Sequence, residues 1–243
     1  STPLYSSAAS DVYKRQPIDH NTGGACAARC RMPSHIIAIV TRAGRQYTEE
    51  IMLTETVAGR TYDYTHNVGR GSQSGMGFNY PNSLTFAPDG TVYITNRGSE
   101  SISNVGWNRT GVGQRITKVT IGDEWGEEEF VGEYSRYGDG DGQLIWPAGI
   151  ASNDQGEVFV TDEWLNRVTV FGKDDKLVRS FSTLQDGDPE PNGAAGIAIA
   201  SDGTIYVTDS RSHQVRIFKN DGTFISSFGN KGVSEGQFDA PWG

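Results

Sequence analysis

Short apolar runs alternate with polar turns along most of the chain, and one such arrangement occurs twice. The segment 146–181 is followed, 47 residues later and without a gap, by a similar segment. Each copy contains four runs that are rich in β-branched and aromatic residues and are bounded by Gly, Asp or Asn. This pattern is typical of β-strands joined by tight turns. We therefore predict a repeated unit of four short strands at 149–152, 157–161, 167–171 and 177–181.

The second strand of this unit is apolar on both faces. Val158 and Val160 point to one side and Phe159 to the other, because successive side chains alternate along a strand. Such a strand is covered on both sides, as it is in a sheet packed between two similar sheets. Gly149 and Gly196 begin the first strand of their copies, where a small residue allows neighbouring sheets to approach closely. These features predict stacked sheets that converge at their first strands.

The repeated unit contains short motifs in a fixed order. They are Pro147-Ala148-Gly149-Ile150, Gly156, Phe159-Val160-Thr161-Asp162, Asn166-Arg167-Val168-Thr169-Val170-Phe171 and Ser180-Phe181. The order of these motifs resembles the NHL-repeat family of β-propellers. The resemblance covers roughly residues 62–243 and implies an all-β fold, a β-propeller of four-stranded antiparallel blades, in a family whose rings usually have six. As a sign of function it is weak, because propellers host many unrelated activities.

The repeat also suggests how the chain is divided. Residues 1–31 are expected to be a non-native or disordered leader, since 6–16 resemble a translated cloning adaptor of the kind found in environmental libraries. Residues 32–243 are predicted to form the propeller, with 62–68 as the outer strand of its first blade and an incomplete ring. The predicted blades are 32–72 (partial), 76–134, 141–187, 192–229 and 237–243 (truncated).

Charge and cysteine content narrow the possible partners. The chain has 30 acidic and 21 basic residues and a net charge of −9, which disfavours a nonspecific grip on nucleic-acid phosphates. It has no apolar run long enough to span a bilayer. The spacing of Cys26 and Cys30 does not indicate a metal site without further ligands nearby. The sequence indicates neither the compartment nor the oligomeric state.

One rim of the predicted propeller collects aromatic and cationic residues. In a four-stranded meander, the loop that enters the first strand and the loop between the second and third strands lie on the same side. Trp and Arg are the residue types that most often anchor interfaces, so we predict that this rim binds a protein, peptide or glycan. An alternative for Trp146 and Trp242 is that they fill gaps between blades. The predicted rim residues are Tyr80, Asn82, Arg97, Trp107, Trp146, Trp164, Arg211, His213 and Trp242.

Several polar residues near the rim have structural interpretations as well. The resemblance implies a mainly structural role for His213. Asp162, Asp209 and Asn96 follow second strands, where a side-chain oxygen can accept hydrogen bonds from loop amides.

A loop of alternating Asp and Gly at 138–143 offers a candidate metal site. Asp139 and Asp141 carry hard carboxylate oxygens of the kind that bind calcium, although a simply solvated loop is the alternative. The sequence shows no cofactor motif, and calcium or another divalent metal is the cofactor that it leaves open.

Two classes of function remain, beside the possibility that the propeller is the recognition end of a larger protein, as in the tripartite-motif ligases or bacterial sensor proteins with this repeat. The first is a noncatalytic binding scaffold, since no nucleophile motif such as Gly-x-Ser-x-Gly or His-Glu-x-x-His is present. The second is a metal-dependent propeller enzyme similar to gluconolactonases or peptidyl-hydroxyglycine lyases, in which ligands at the inner-strand starts hold a Lewis-acidic ion. Of the visible inner-strand starts, only Asn82 could ligate a metal, so this alternative places most ligands in blades outside the sequence.

Overall fold

A computed structural model describes residues 54–57, 60–63, 67–75, 77–102, 109–122, 126–185 and 193–243. The chain divides into two compact units, Ser1–His35 and Ile36–Gly243, and every described residue belongs to the second. The predicted leader 1–31, both cysteines, Trp107 and most of the predicted blade 32–72 lie outside the described residues.

The described residues form sixteen β-strands and contain no helix, so none could supply a membrane-spanning helix. The strands are β1 (Thr54–Val57), β2 (Arg60–Asp63), β3 (Pro81–Phe86), β4 (Val92–Asn96), β5 (Ser99–Ile102), β6 (Arg109–Val112), β7 (Arg115–Thr120), β8 (Glu129–Tyr134), β9 (Pro147–Ser152), β10 (Val158–Asp162), β11 (Arg167–Phe171), β12 (Leu177–Ser182), β13 (Ala194–Ile199), β14 (Ile205–Asp209), β15 (Gln214–Phe218) and β16 (Phe224–Phe228).

Twelve of these strands form three four-stranded antiparallel sheets, which are the blades of a β-propeller. Blade 1 has the order β3-β4-β7-β8, blade 2 the order β9-β10-β11-β12 and blade 3 the order β13-β14-β15-β16. Neighbouring strands in each blade are joined in sequence order, apart from the hairpin β5-β6 that interrupts blade 1. The predicted four-strand unit and all-β fold class are confirmed. The total number of blades stays a prediction.

Blade 2 is packed between the other two blades. Every residue of its second strand, β10, is buried. On one side Phe159 belongs to the apolar cluster that contains Ile205 and Phe218 of blade 3. On the other side Val158 belongs to the cluster that contains Ile116 of blade 1. The prediction that both faces of this strand are covered is therefore confirmed.

The first strands of neighbouring blades approach closely at glycines. A Cβ added to Gly149 would lie 2.6 Å from the carbonyl oxygen of Ala195, and one added to Gly196 would lie 2.9 Å from that of Trp242. Real Cβ atoms do not come this close to a carbonyl oxygen. The predicted convergence of the blades at small residues is confirmed, and it brings the starts of the inner strands together.

Threonine side chains link these inner strands across blades. The Thr161 hydroxyl accepts a hydrogen bond from the Gly149 amide (2.8 Å) and donates one to the Ala195 carbonyl of the next blade. Thr208 accepts from the Gly196 amide (2.7 Å) and donates to the Trp242 carbonyl (3.3 Å). The β9-β10 register shifts at this point. The Thr161 hydroxyl therefore accepts the hydrogen bond of the Gly149 amide, which the irregular ladder leaves without a backbone acceptor.

The predicted outer strand at 62–68 agrees with the structure in part. Residues 62–63 lie in β2, whereas the described residues 67–70 form no strand. In the described part of the chain, no strand lies beside 67–70 to pair with them. After β4, the strands β5 and β6 pair as a two-stranded hairpin.

Candidate functional site

A buried carboxylate at the end of β10 shapes the rim of blade 2. Asp162 accepts hydrogen bonds from the amides of Ile145 (2.7 Å), Trp146 (3.1 Å), Trp164 (3.1 Å) and Leu165 (3.0 Å). Burial raises the pKa of Asp162 above its ordinary value, and these four amide hydrogen bonds act in the opposite direction. The single side chain thus ties the loop before β9 to the loop after β10 and fixes the backbone of both tryptophans.

The equivalent residues of the other blades each fix one of these two loops, Asn96 the loop before β3 and Asp209 the loop after β14. Asn96 accepts from the Asn79 amide (2.8 Å). Asp209 accepts from the amides of Arg211 (3.2 Å) and Ser212 (2.9 Å). The predicted turn-fixing role of these three residues is therefore confirmed.

Five side chains from four segments of the chain meet on this rim, and we call them the tryptophan cluster: Arg97, Trp146, Glu163, Trp164 and Trp242. The Trp146 and Trp164 rings meet edge to face, with centroids 4.9 Å apart. The guanidinium carbon of Arg97 lies 5.0 Å from the Trp146 ring centroid and 6.0 Å from that of Trp242. The guanidinium also pairs with the Glu163 carboxylate at 2.9 Å. Blade 1, blade 2 and the segment after blade 3 all contribute to the cluster.

The cluster presents aromatic surface outward while its charged pair is largely covered. Trp164 is 43% exposed and Trp242 is 47% exposed, whereas the Glu163 side chain is 10% exposed. Trp146 is half-buried. The interpretation that Trp146 and Trp242 fill gaps between blades stays an alternative prediction. The arrangement offers two aromatic surfaces beside a guanidinium that is held in place.

Arg211 and Tyr80 lie near the cluster. An added Cβ at Gly193 would lie 3.4 Å from Cγ of Glu163 and 3.6 Å from Cγ of Arg211, so both side chains flank this glycine. The Tyr80 carbonyl accepts from the Arg97 amide (3.0 Å), and its side chain is 68% exposed. Both predicted rim residues are placed beside the residues that build the cluster.

Asn82 and His213 instead make contacts within the fold. The Asn82 amide group donates to the carbonyls of Pro147 (2.7 Å) and Ala148 (3.1 Å) and accepts from the Thr95 hydroxyl (2.8 Å). Nδ1 of His213 accepts from the Ala240 amide (2.9 Å). These contacts account for both side chains without a ligand.

Glu163 is the member of the cluster that the sequence analysis did not single out. It lies between the turn-fixing Asp162 and the predicted rim residue Trp164. A carboxylate at this loop position is the one signal that could have identified it, because a rim with several arginines favours a nearby acidic partner.

In the proposed calcium loop, backbone carbonyls already surround a cation. The Arg167 guanidinium donates to the carbonyls of Asp139 (3.1 Å), Gly140 (2.8 Å) and Gln143 (2.8 Å). Among the residues described, no group of three or more His, Cys, Asp or Glu side chains is placed to hold a metal ion. A calcium ion at Asp139 and Asp141 stays a prediction.

Two parts of the chain match the model of a known repeat family. Residues 144–171 and 192–218 match the NHL repeat, and they fall on blades 2 and 3. No curated protein sequence matches the chain.

Solved structures with similar folds share little sequence with this chain. A functionally unknown protein from Desulfotomaculum acetoxidans DSM 771 is 18% identical, with 76% of this chain and 51% of that chain covered (TM-score 0.46). The calcium-binding protein regucalcin from Agrobacterium tumefaciens strain C58 is 14% identical, with 60% and 44% covered (TM-score 0.40). A gluconolactonase from Xanthomonas campestris is 18% identical, with 55% and 36% covered (TM-score 0.35). The chain spans about half the length of the first two structures.

Proposed function

We propose that the protein is a noncatalytic scaffold that binds a protein or peptide segment on the tryptophan cluster. The observation that carries this proposal is the outward exposure of Trp164 and Trp242 beside a fixed arginine. Large aromatic side chains and arginine supply most of the binding energy at protein interfaces. A glycan is the alternative ligand, since a sugar ring also offers an apolar face and polar edges.

The contacts within the cluster suit it to recognition. Arg97 is held by the Glu163 carboxylate and by the face of Trp146, so little side-chain freedom is lost when a ligand accepts its remaining N–H groups. The Trp164 ring is held against Trp146, and its backbone is fixed by Asp162. A preorganised aromatic surface of this kind binds with a smaller entropic cost than a mobile one.

The proposal is tested by probing arrays of printed peptides and printed glycans with the labelled protein. The wild-type chain is compared with Trp164→Ala and with Phe86→Ala as a matched control. Phe86 is also 43% exposed, but it ends β3 at the opposite end of that strand from the rim.

We expect signals on a subset of peptides that Trp164→Ala reduces by about 30-fold, as for a binding hot spot of about 2 kcal/mol. Phe86→Ala should bind as the wild type does. Equal losses in both variants, or binding unaffected by Trp164→Ala, would reject the cluster as the site. If only the printed glycans give signals, the ligand of the cluster is a glycan and not a peptide.

A further inference from the structure

One ring nitrogen of His213 has two possible partners, and they are adjacent in the sequence. Nδ1 accepts a hydrogen bond from the Ala240 amide at 2.9 Å. The same nitrogen lies 3.6 Å from Oδ1 of Asp239. A nitrogen that accepts from an amide must carry a lone pair, whereas a nitrogen that donates to a carboxylate must carry a proton. The protonation state of Nδ1 therefore decides which of the two partners it can bind.

The structure shows the arrangement of the neutral ring. Since Nδ1 accepts from Ala240, the ring carries its proton on Nε2. A second proton would place an N–H group on Nδ1 opposite the N–H group of Ala240, and two donors repel each other. The Asp239 carboxylate would then be the nearest acceptor, and its side chain is 69% exposed and can rotate toward the ring.

The segment that this hydrogen bond holds carries one member of the tryptophan cluster. Trp242 follows Ala240 by two residues, and residues 239–242 belong to no strand. The Trp242 ring centroid lies 6.0 Å from the guanidinium carbon of Arg97. The Thr208 hydroxyl donates to the Trp242 carbonyl at 3.3 Å, which is long for a bond between two oxygens. Loss of the bond to His213 would therefore leave the segment weakly held and free to carry Trp242 away from Arg97.

The backbone at Ala240 is strained while this hydrogen bond is made. Its φ angle is 49°, in the left-handed region that a residue with a Cβ rarely adopts. Strain of this kind persists only where surrounding contacts hold it. The hydrogen bond to His213 is such a contact, because it engages the Ala240 amide itself. When the bond is lost, relaxation of this backbone favours movement of the segment.

Blade 2 has the same turn without a titratable side chain. Asn166 stands 47 residues before His213, and the φ angles of the two residues agree at 51° and 56°. Asparagine tolerates the left-handed region and gains no proton when the pH falls. The fold therefore accepts asparagine at this place, and the histidine gives the turn of blade 3 a response to pH that its counterpart lacks.

Asp239 is the charged neighbour that pairs with the His213 ring. Among the carboxylates of the described residues, no other pairs with it. Asp209 and Arg216, in the two strands that flank the turn, pair with each other at 3.0 Å, and both side chains are 2% exposed. A proton on Nδ1 is thus favoured by Asp239 and opposed by the Ala240 amide. The charged groups on the turn, its flanking strands and the segments that contact it are Asp239, Arg211, Lys231, Asp209 and Arg216.

We propose that His213 is a pH switch for the tryptophan cluster. At neutral pH the unprotonated ring holds the segment 239–242 and keeps Trp242 beside Arg97. As the pH falls, the protonated ring exchanges the Ala240 amide for the Asp239 carboxylate, and Trp242 leaves the cluster. The movement is a property of the chain alone, whereas its consequence, weaker ligand binding at acidic pH, rests on the proposed function.

The movement is tested on the ¹⁵N-labelled chain by recording amide, indole and imidazole signals between about pH 8 and pH 5, where histidine side chains change charge. The Ala240 amide and the Trp242 indole N–H should shift with one midpoint, and the His213 ring nitrogens should titrate with the same midpoint. A Trp242 signal that stays constant while His213 titrates, or that shifts with a different midpoint, would overturn the proposal.

His213→Asn is the matched control, because asparagine occupies this place in blade 2. The Trp242 indole signal should then stay constant over the same pH range. An unchanged shift in this variant would assign the response to another group and reject the switch. If the variant does not fold, Asp239→Asn replaces it. This change removes the partner of the protonated ring, so the Trp242 shift should move to lower pH, and an unmoved shift would contradict the exchange of partners.

Ligand binding separates the failure of the switch from the failure of the proposed function. The affinity for the peptide or glycan with the strongest array signal is measured at about pH 7.5 and pH 5.5, on either side of the histidine titration. We expect a loss of about tenfold in the wild type, as for one interface anchor, and none in His213→Asn. If Trp242 moves but the affinity stays constant, the switch stands and the cluster is not the ligand site. If Trp242 does not move, the switch fails and the proposed function stands.

Discussion

The close approach of blades 2 and 3 at Gly149 gives the sharpest prediction for the fold. A Cβ added to Gly149 would lie 2.6 Å from the Ala195 carbonyl oxygen and 3.1 Å from the Gly196 Cα. Both neighbours are backbone atoms, so no side chain can rotate away and β9 must separate from β13. The Gly149 φ angle lies outside the left-handed region, so Gly149→Ala tests steric overlap alone.

The expected cost follows from two opposing effects. Overpacking in a well-packed interior destabilises by about 1–3 kcal/mol, and replacing Gly by Ala restores about 0.4–1 kcal/mol by restricting the unfolded chain. We therefore expect Gly149→Ala to lower the free energy of unfolding by about 1–2 kcal/mol. Urea unfolding should show a lower midpoint with an unchanged slope.

Gly132→Ala is the matched control for this measurement. Gly132 lies in the outer strand β8, and a Cβ added there meets nothing within 4 Å. This variant should be as stable as the wild type or slightly more stable. If Gly149→Ala is no more destabilising than Gly132→Ala, the inner strands do not converge as described.

Two further predictions concern buried polar groups. The Tyr134 hydroxyl is buried and has no hydrogen-bond partner among the described residues, so Tyr134→Phe should leave the free energy of unfolding unchanged or raise it by about 1 kcal/mol; a loss of that size in urea unfolding would contradict this. Burial raises the pKa of Asp162 above 3.8, so the native state keeps this proton where the unfolded chain has lost it, and stability should fall as pH rises through the range just above 3.8. Urea unfolding at several pH values across this range should show that the free energy of unfolding falls with rising pH in the wild type but not in Asp162→Asn. The same fall with pH in both proteins would refute the assignment.

The blades could be predicted from the sequence because their signals are local. Alternation of side chains along a strand is visible within five residues, and β10 is buried on both faces as Val158, Phe159 and Val160 indicate. A small residue at the position of Gly149 and a hydrogen-bond acceptor at the position of Asp162 also recur in each repeat. Repetition turns such weak local signals into a reliable pattern.

The contacts of the tryptophan cluster could be predicted only in part. The topology of a meander places Arg97, Trp146 and Trp164 on one rim, but it does not say which of them touch. The pairing of Arg97 with Glu163 joins residues far apart in sequence, and it depends on how two blades pack.

The loop 138–143 shows a second limit of the sequence. Asp139 and Asp141 suggest a cation site through their carboxylates, whereas the cation seen there is Arg167, bound by backbone carbonyls. Backbone carbonyls are present at every residue, so composition does not reveal where they converge.

The central claim is that the tryptophan cluster receives the ligand, and hydroxyl-radical footprinting tests it most directly. The chain is oxidised alone and with the peptide or glycan that gives the strongest array signal, and modification is measured at each residue. We predict that the ligand protects Trp164 and Trp242 and leaves Phe86 unchanged. Protection of Phe86, or unchanged oxidation of both tryptophans, would contradict the account.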